Sequence, residues 1–487
     1  MAESGRRAHH QVTFAVLTLG IAAFALLQSL VVPVLTTVQH QLHTSQDTVT
    51  WVLTAYLLSA SIMTPILGRI GDMTGKKRVF VAALVALSAG SLLAALAPSI
   101  GVMIVARVIQ GAGGGMLPVA FGIIRDEFPA DKVTGAVGIL AALTAVGAGL
   151  GIVLAGPIVE VLDYHWLFWL PLILTVAAAV AAVAFVPESA VRSPGRISWL
   201  PALLLSAWLV ALLVALSEAP SWGWGSGRVL GLLTGAVVLA GAWVATELRA
   251  ATPLIDMKMM RRTAVWTNNL VGLLIGVGMY ATFAFLPEFV QTPAAAGYGF
   301  GASITRSGLL LLPSTVTMFV TGMFAGRLAR RLGGKVLVIA GCLAGCGAMA
   351  ILAFAHGHEW EIYLSTAIMG VGFGLAFSAM SALVVAAVPA SQTGVASGMN
   401  ANIRTIGGSI GSAVMASIVT SQLAPSGLPR ESGYTVGFAV MAAGLVLAAL
   451  AGLLIPSMRR MRQLAGEPEH AELAMVAGGT IVGDDSE

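Results

Sequence analysis

The chain has few charged residues and almost no cysteine. Asp, Glu, Lys and Arg make up only 10% of its 487 residues, whereas a soluble domain carries about a quarter. Together with 57% hydrophobic residues and a mean hydropathy of +0.90, this scarcity excludes a soluble fold. Cys342 and Cys346 stand four positions apart in one apolar run, so they share a helix face and are poorly placed for a disulfide.

Several kinds of functional site are also missing. No G-x-x-x-x-G-K-[ST] phosphate-binding loop occurs, so we expect neither ATP use nor a cofactor. His356-Gly357-His358-Glu359 contains metal-ligating residue types but has no further ligands nearby, so no metal site is predicted. Lys and Arg stand in small groups at the ends of apolar runs, which indicates membrane orientation and no nucleic acid partner. The stretches between the runs are too short for a catalytic domain, so we predict no catalytic residues and no enzyme.

Long apolar runs fill most of the chain. They are long enough to cross about 30 Å of hydrocarbon as helices, and they are solidly apolar rather than alternating as barrel strands are. The sequence therefore predicts an all-α membrane protein with fourteen transmembrane helices. The predicted spans cover residues 12–34, 47–68, 79–97, 100–124, 136–159, 166–186, 198–217, 229–248, 265–290, 305–325, 335–355, 361–387, 399–421 and 434–456.

The basic residues predict the orientation. An even number of spans places both termini on one side of the membrane. If that side is the cytoplasm, 21 of the 26 Lys and Arg residues fall in inner segments, whereas the outer segments hold only Arg228 and Arg430. This distribution follows the positive-inside rule, so we expect both termini to be cytoplasmic.

The stretch from Gly68 to Arg78 reads G-x-x-x-D-x-x-G-K-K-R. It resembles the signature loop between the second and third helices of the major facilitator superfamily, a loop that locks the two halves of the transporter in one state. Independently of that resemblance, a carboxylate at a helix end can cap backbone N–H groups and pair with a neighbouring cation. The alternative is a positive-inside loop with turn residues. The predicted latch consists of Gly68, Asp72, Gly75, Lys76, Arg78 and, from the end of span four, Asp126.

Arg107 lies inside span four. A guanidinium in hydrocarbon costs several kcal/mol unless it is paired or hydrated, so it should face the protein interior or a water cavity. Its surroundings, R-x-x-Q-G-x-G, resemble the span-four motif of the same superfamily, which implies a role in proton coupling for Arg107 with Gln110 beside it. The alternative is a structural arginine satisfied by backbone carbonyls.

The carboxylate that carries a proton is less obvious. Fourteen-helix drug exporters often have an Asp in span one, but Leu27 and Gln28 occupy that region here. Glu288, near the outer end of span nine, is the best-placed candidate for proton coupling. The alternative for Glu288 is an interfacial, hydrated carboxylate.

Span five is rich in glycine. Small residues at this spacing let helices pack closely, and a proline weakens the helix locally. The pattern resembles the Gly-Pro motif of antiporters in part, since Ile152 stands where the motif has Pro and Ala155 where it has Gly. Helix packing without directional meaning is the alternative. The motif residues are Gly147, Gly149, Gly151, Gly156 and Pro157.

A few polar side chains occur at membrane depth in other spans. They are expected either to line a substrate path or to hydrogen-bond one helix to another. The predicted cavity residues are Gln28, Asn268, Asn269, Asn402 and Arg404.

A second Gly-and-basic stretch, from Gly326 to Lys335, follows the tenth span and has Arg330 where the first stretch has Asp72. This indicates two parallel halves with two spans inserted between them. We therefore predict a six-helix bundle over 1–190, two inserted helices and a linker over 191–260, and a second six-helix bundle over 261–460. The segment 461–487, acidic and poor in aromatics, is predicted to be a disordered cytoplasmic tail.

The resemblance covers nearly the whole chain and is to the fourteen-helix drug:proton antiporters of the major facilitator superfamily. It implies a monomer in the cell membrane that exports hydrophobic or cationic compounds by alternating access, with protons moving inward. One alternative is a proton-coupled carrier that imports or exports a metabolite or natural product. Another, from a different class, is a non-transporting membrane receptor or scaffold. The expected partners are a small-molecule substrate, protons and the lipid bilayer.

Overall fold

The computed structural model describes residues 2–31, 34–189, 198–250, 252–421, 424 and 428–456. The predicted tail over 461–487 and most of the linker before the inserted helices lie outside the described residues. The helices are α1 (Ala2–Leu30), α2 (Leu35–Gln41), α3 (Gln46–Thr74), α4 (Lys76–Ala95), α5 (Ile100–Gln110), α6 (Met116–Glu127), α7 (Ala130–Val161), α8 (Trp166–Phe185), α9 (Trp199–Trp222), α10 (Gly227–Arg249), α11 (Met257–Met260), α12 (Thr263–Gln291), α13 (Ile304–Leu332), α14 (Gly334–Phe354), α15 (Glu359–Ala387), α16 (Thr393–Thr420) and α17 (Glu431–Gly452).

Within the described residues, fourteen helical segments are long and apolar enough to cross a membrane, which confirms the predicted all-α fold class and its number of spans. The helices α5 and α6 make one span, joined by a 3₁₀ turn over Gly111–Gly115. The short helices α2 and α11 lie between spans.

The helices extend further than the apolar runs predicted. The second span was expected to end at residue 68, but α3 continues to Thr74 and α4 begins at Lys76. Contacts of Gly68 and Asp72 with the start of α16 hold this stretch helical despite the low helix propensity of glycine and aspartate, and Gly75 alone makes the connection, with a φ of +124° that favours glycine. The stretch from Gly68 to Arg78 is thus a helix end, a one-residue turn and a helix start.

The spanning helices pack as two sets, with the inserted pair against one side of their junction. In the first set, α1 packs against α7 and α8, and α4 packs against α5 and α8. In the second set, α12 packs against α16 and α17, while α14 and α13 both pack against α15. The two sets meet where α7 runs along α13 and where α3 runs along α16. The inserted helix α9 packs against both α3 and α16, and α10 packs on α9.

Small residues bring α7 and α13 close together. A Cβ on Gly326 would lie 2.7 Å from the Cα atom of Gly135, and one on Gly308 would lie 2.8 Å from the Cα atom of Val153. Without a strong hydrophobic driving force between helices in lipid, such close approach supplies van der Waals attraction along the contact. The α7–α13 contact therefore joins the two sets along most of their length.

Candidate functional site

Asp72 joins the two halves at one end of the molecule. Its side chain is fully buried in the last turn of α3, and it accepts backbone hydrogen bonds from Gly394 (3.3 Å to Oδ1) and Val395 (3.1 Å to Oδ2). Both amides belong to the first turn of α16, where N–H groups lack intrahelical acceptors and the helix dipole is positive. The carboxylate of one half therefore caps a helix of the other half.

Lys76 connects Asp72 to a second carboxylate. Its buried Nζ atom lies 3.9 Å from Asp72 Oδ1 and 2.6 Å from Asp126 Oδ2, and it donates to Ser189 Oγ at 3.5 Å. Ser189 also donates a hydrogen bond to Asp126. A buried ion needs a partner with good geometry, and here one cation is shared by two carboxylates. The structure thus brings Asp72, Lys76 and Asp126 into one network.

The remaining predicted latch residues surround this network. A Cβ on Gly68 would lie 2.6 Å from the carbonyl oxygen of Gly394, so only glycine lets α3 approach α16 this closely. A Cβ on Gly75 would lie 2.5 Å from Glu188 Oε1. Arg78 pairs with Glu188 Oε2 at 3.5 Å, but its side chain is 70% exposed and the ion pair contributes little.

Arg125 makes a further contact between the halves that the sequence did not suggest. From the end of α6 it donates through Nη1 to the carbonyl oxygen of Val385 at 2.5 Å and to Thr393 Oγ1 at 2.9 Å. These acceptors lie near the end of α15 and at the start of α16. Arg125 and Asp72 therefore hold the same helix start from two sides.

A cavity of about 470 Å³ lies between the two sets of helices, away from the Asp72 network. On α3 its lining residue nearest to Asp72 is Leu58, fourteen residues, or about 21 Å of helix, before Asp72. On α16 it involves residues from Arg404 onward, well beyond the capped first turn. Its wall comes from α1, α3, α7, α9, α12, α15 and α16.

Arg107 is fully buried beside this cavity. Its Nε donates to the carbonyl oxygen of Val52 at 3.1 Å, its Nη1 donates to Gln110 Oε1 at 2.8 Å, and its guanidinium lies 4.3 Å from the ring centroid of Tyr56. Gln110 in turn donates to Ser91 Oγ at 3.2 Å. No ion pair joins Arg107 to a carboxylate of the described residues. Its charge is stabilised by three neutral partners, which are a carbonyl oxygen, an amide oxygen and an aromatic ring.

Arg404 is a buried cation of the second half. It is buried in α16, lines the cavity, and lies 3.9 Å from the ring centroid of Phe377. The side chain of Tyr280 lies beside it and interacts with it, while its Nε has no hydrogen-bond partner among the described residues. Close packing of α12 on α16 sets this arrangement, because Gly408 lies directly against the ring of Tyr280.

Of the other predicted cavity residues, one lines the cavity and three do not. Gln28, like Arg404, lies in the cavity wall. Asn269 instead accepts a hydrogen bond from Asn400 at 2.9 Å between α12 and α16, and Asn268 donates to the carbonyl oxygen of Ala264 in its own helix at 2.7 Å. Asn402 is buried outside the residues that line this cavity. Asn269 therefore takes the alternative role, a hydrogen bond between two helices, rather than a place in the cavity wall.

Glu288 lies apart from both arginines. It is exposed near the end of α12, and the side chain of Tyr434 lies beside it. Aromatic rings pack around the neighbouring Phe289, including Tyr298 at a centroid distance of 5.6 Å and His356 at 5.2 Å. Burial raises the pKa of Tyr298, whose hydroxyl donates to the carbonyl oxygen of Pro429 at 2.5 Å. His356 pairs with Glu431 at 2.8 Å.

The glycines of span five face two directions from α7. Gly147 and Gly151 lie against α1, where Ser29 donates to the carbonyl oxygen of Gly147 at 3.1 Å. Gly149 and Gly156 lie against Thr315 and Thr305 of α13. The motif therefore lets α7 pack closely against its own half and the other half at once. Pro157 lies in the last turns of the same helix.

Sequence reasoning missed the aromatic side chains that meet the arginines and the contribution of α9. Tyr56, Tyr280 and Phe377 carry no motif, although a buried guanidinium in a membrane calls for an aromatic or carbonyl partner on a neighbouring helix. Helix α9 lines the cavity with Leu213 and Leu216, which are indistinguishable by type from lipid-facing leucines. In the part of the chain that the structure describes, no group of three or more His, Cys, Asp or Glu side chains could hold a metal.

Comparison with known proteins places these features in a wider group. The family model for the Major Facilitator Superfamily matches residues 17–412 and 269–477. The chain is 27% identical to a tetracenomycin C resistance and export protein of Streptomyces glaucescens, over 86% of this chain and 78% of that protein. It is 30% identical to a multidrug resistance protein B homolog of Mycobacterium tuberculosis, over 78% of this chain and 70% of that protein.

Two further comparisons concern length and fold. The chain is 28% identical to an uncharacterized MFS-type transporter of Mycobacterium tuberculosis over 85% of its own length, but spans only 60% of that protein. A solved proton:xylose symporter superposes with a TM-score of 0.65 over 93% of this chain and 97% of that chain. At 15% sequence identity, this likeness shows the fold alone.

Proposed function

This chain belongs to the major facilitator superfamily, and on that premise we propose that it is a secondary active exporter of hydrophobic, drug-like compounds that works by alternating access. The names of two relatives, a tetracenomycin C resistance and export protein and a multidrug resistance protein B homolog, support export of toxic compounds. The family consists of transporters and not of enzymes.

The position of the cavity relative to the Asp72 network carries this proposal. The cavity lies between the two halves, and the buried contacts of Asp72 and Arg125 with the start of α16 close the halves together at the other end. Alternating access requires a central site that is closed toward one membrane face at a time. Contacts between halves that form in one state and break in the other make such a switch possible.

The protein is a multi-pass membrane protein, and we further propose that it resides in the cell membrane with both termini in the cytoplasm. The concentration of Lys and Arg in the predicted inner segments supports this orientation. The Asp72 network then lies on the cytoplasmic face, and the cavity belongs to an outward-facing state.

Proton coupling is the third part of the proposal. Arg107 and Gln110 lie beside the cavity, and Arg107 has no carboxylate partner among the described residues, so its environment responds strongly to any charge entering the cavity. Glu288 lies eight residues, or about 12 Å, beyond Tyr280 on the same helix. We assign proton binding to Glu288 and the coupling of that proton to the cavity to Arg107.

Transport in proteoliposomes under an imposed pH gradient tests this function. The panel contains ethidium as a cation, N-phenylnaphthylamine as a neutral compound and anilinonaphthalene sulfonate as an anion. We expect gradient-driven movement of at least one compound. Absence of movement for every compound under any gradient would favour the receptor or scaffold alternative, and movement in the same direction as the protons would favour an importer.

The Glu288→Gln variant tests proton binding separately. It removes the titratable group while keeping the size of the side chain, so we expect substrate exchange to continue and its dependence on the pH gradient to disappear. Glu160→Gln is the matched control, because Glu160 is also an exposed carboxylate near a helix end. Equal gradient dependence in wild type and Glu288→Gln would contradict the assignment of Glu288.

A further inference from the structure

We propose that the central cavity selects amphiphilic organic anions with an aromatic body, and that Arg404 is the residue that recognises their negative group. This inference rests on the proposed function, since it names the substrate class of the same cavity. It replaces the expectation of cationic compounds, which came from resemblance alone.

The charge in the cavity wall is positive. Among the described residues that line the cavity, Arg404 carries the single formal charge, and neither Asp nor Glu contributes to the wall. Arg107, which is not among the lining residues, adds a second positive charge 4.3 Å from the ring of Tyr56, which does line the cavity. An organic cation entering here would meet two like charges in a medium of low dielectric constant, whereas an anion would be attracted by both.

Two buried donors on residues of the cavity wall lack hydrogen-bond partners in the described part of the chain. The Nε of Arg404 and the hydroxyl of Tyr56 have no hydrogen-bond partner among the described residues, although both side chains are more than nine-tenths buried. Buried polar atoms are usually satisfied, so two unpartnered donors on residues that line one cavity favour a ligand that accepts hydrogen bonds. A carboxylate, sulfonate or phenolate oxygen accepts from both types of donor and forms charge-assisted bonds with a guanidinium.

The apolar wall sets the remainder of the ligand. Phe377 and Tyr280 lie beside Arg404, Phe283 lies one turn from Tyr280 on α12, and the inserted helix α9 adds Leu213 and Leu216. Aromatic rings next to a guanidinium suit a ligand whose charged group is attached directly to an aromatic body. A cavity of about 470 Å³ is within the range for drug-sized molecules.

Equilibrium binding of two dyes with one scaffold tests this inference. Anilinonaphthalene sulfonate and N-phenylnaphthylamine differ by the sulfonate, and both fluoresce in apolar sites. With full-length protein in liposomes, we expect the wild type to bind the sulfonate at least about tenfold more tightly, the effect of a hydrogen bond to a charged group. Arg404→Gln should remove most of this preference while changing the affinity for the neutral dye less than about twofold, and Arg404→Lys should restore part of it.

A second pair of variants leaves the packing of Arg404 intact. Thr54 lines the cavity from α3 and is only partly buried. Thr54→Asp places a carboxylate in the wall of the same cavity and should lower sulfonate affinity while raising that for ethidium, whereas the nearly isosteric Thr54→Asn should do neither. Because both proteins are measured in the same lipid, partitioning of the dye into the bilayer cancels from the comparison.

The outcomes separate this inference from the proposed function. Loss of sulfonate preference in Arg404→Gln and in Thr54→Asp, with Thr54→Asn like wild type, supports the anion site. Equal binding of all three dyes by the wild type, or an equal change for all three in Arg404→Gln, overturns it even if gradient-driven transport is observed. Selective sulfonate binding without any flux in proteoliposomes supports the anion site and overturns export.

Discussion

Replacing Asp72 by Asn should release the contact between α3 and α16. The carboxylate is fully buried, accepts two amide N–H groups from the first turn of α16, and has Lys76 3.9 Å away. Asn preserves the size of the side chain but removes the charge that favours the positive end of the helix dipole. It also presents a single acceptor oxygen in place of two.

The magnitude follows from these contacts. A hydrogen bond to a charged group contributes about 1.5–3 kcal/mol and a buried charge at a helix end up to about 2 kcal/mol. Asn retains one neutral hydrogen bond, and Lys76 retains Asp126 at 2.6 Å. We therefore expect the closed arrangement to lose about 2 kcal/mol relative to the open one, which shifts their ratio about thirtyfold.

Hydrogen–deuterium exchange at the start of α16 measures this shift directly. The amides of Gly394 and Val395 lie in the first helical turn and donate to Asp72, so their protection reports the contact itself. Exchange should accelerate in Asp72→Asn and remain unchanged in Arg78→Gln, since the Arg78 side chain is 70% exposed. Unchanged protection in Asp72→Asn, or equal acceleration in both variants, would refute the assignment of Asp72 as the contact that closes this face.

Three further perturbations have defined outcomes. Gly68→Ala places a Cβ 2.6 Å from the carbonyl oxygen of Gly394 and should accelerate exchange at the start of α16 as Asp72→Asn does, whereas Gly101→Ala meets no atom within 4 Å and should not. Arg107→Lys cannot reproduce both the hydrogen bond to Val52 and the one to Gln110, so we expect the protein to lose about 2 kcal/mol of stability. Thermal unfolding in detergent measures this loss, and Arg327→Lys, at an exposed site, is the control. Gly326→Ala, 2.7 Å from the Cα atom of Gly135, should slow transport by separating α7 from α13, while Gly347→Ala in open space should leave the rate unchanged.

Much of the fold follows from the sequence. Apolar runs of membrane length fix the number of spans, because a lipid-exposed backbone must satisfy its own hydrogen bonds as a helix. The helix ends were less predictable. The charged residues of the stretch after Gly68 suggest a loop by composition, but the contacts of Gly68 and Asp72 with α16 hold α3 helical as far as Thr74, and the positive φ of Gly75 ends it.

The charged residues of the site could be predicted from the sequence, but their partners could not. Arg107 and Arg404 stand out in sequence because charge at membrane depth is costly, and Asp72 stands out as the single acidic residue of a basic stretch. Their partners do not stand out, because backbone amides such as those of Gly394 and Val395 leave no trace in residue type. A polar side chain at membrane depth does not by itself predict a cavity residue. Asn269, for example, accepts a hydrogen bond from Asn400 of another helix.

The inserted helix α9 explains why an apolar run without any motif still belongs to the site. Helices α3 and α16 touch through Gly68 and Gly394 near the Asp72 network, but further along their lengths the cavity lies between Leu57 of α3 and Ser409 of α16. A helix that packs against both α3 and α16 covers this side of the cavity, and its side chains are mostly apolar all around, since one face meets the cavity and another meets lipid. Such a wall has no amphipathic pattern to detect in sequence. Its contribution is therefore shape and volume, while the formal charge in the cavity wall comes from Arg404 on the helix it covers.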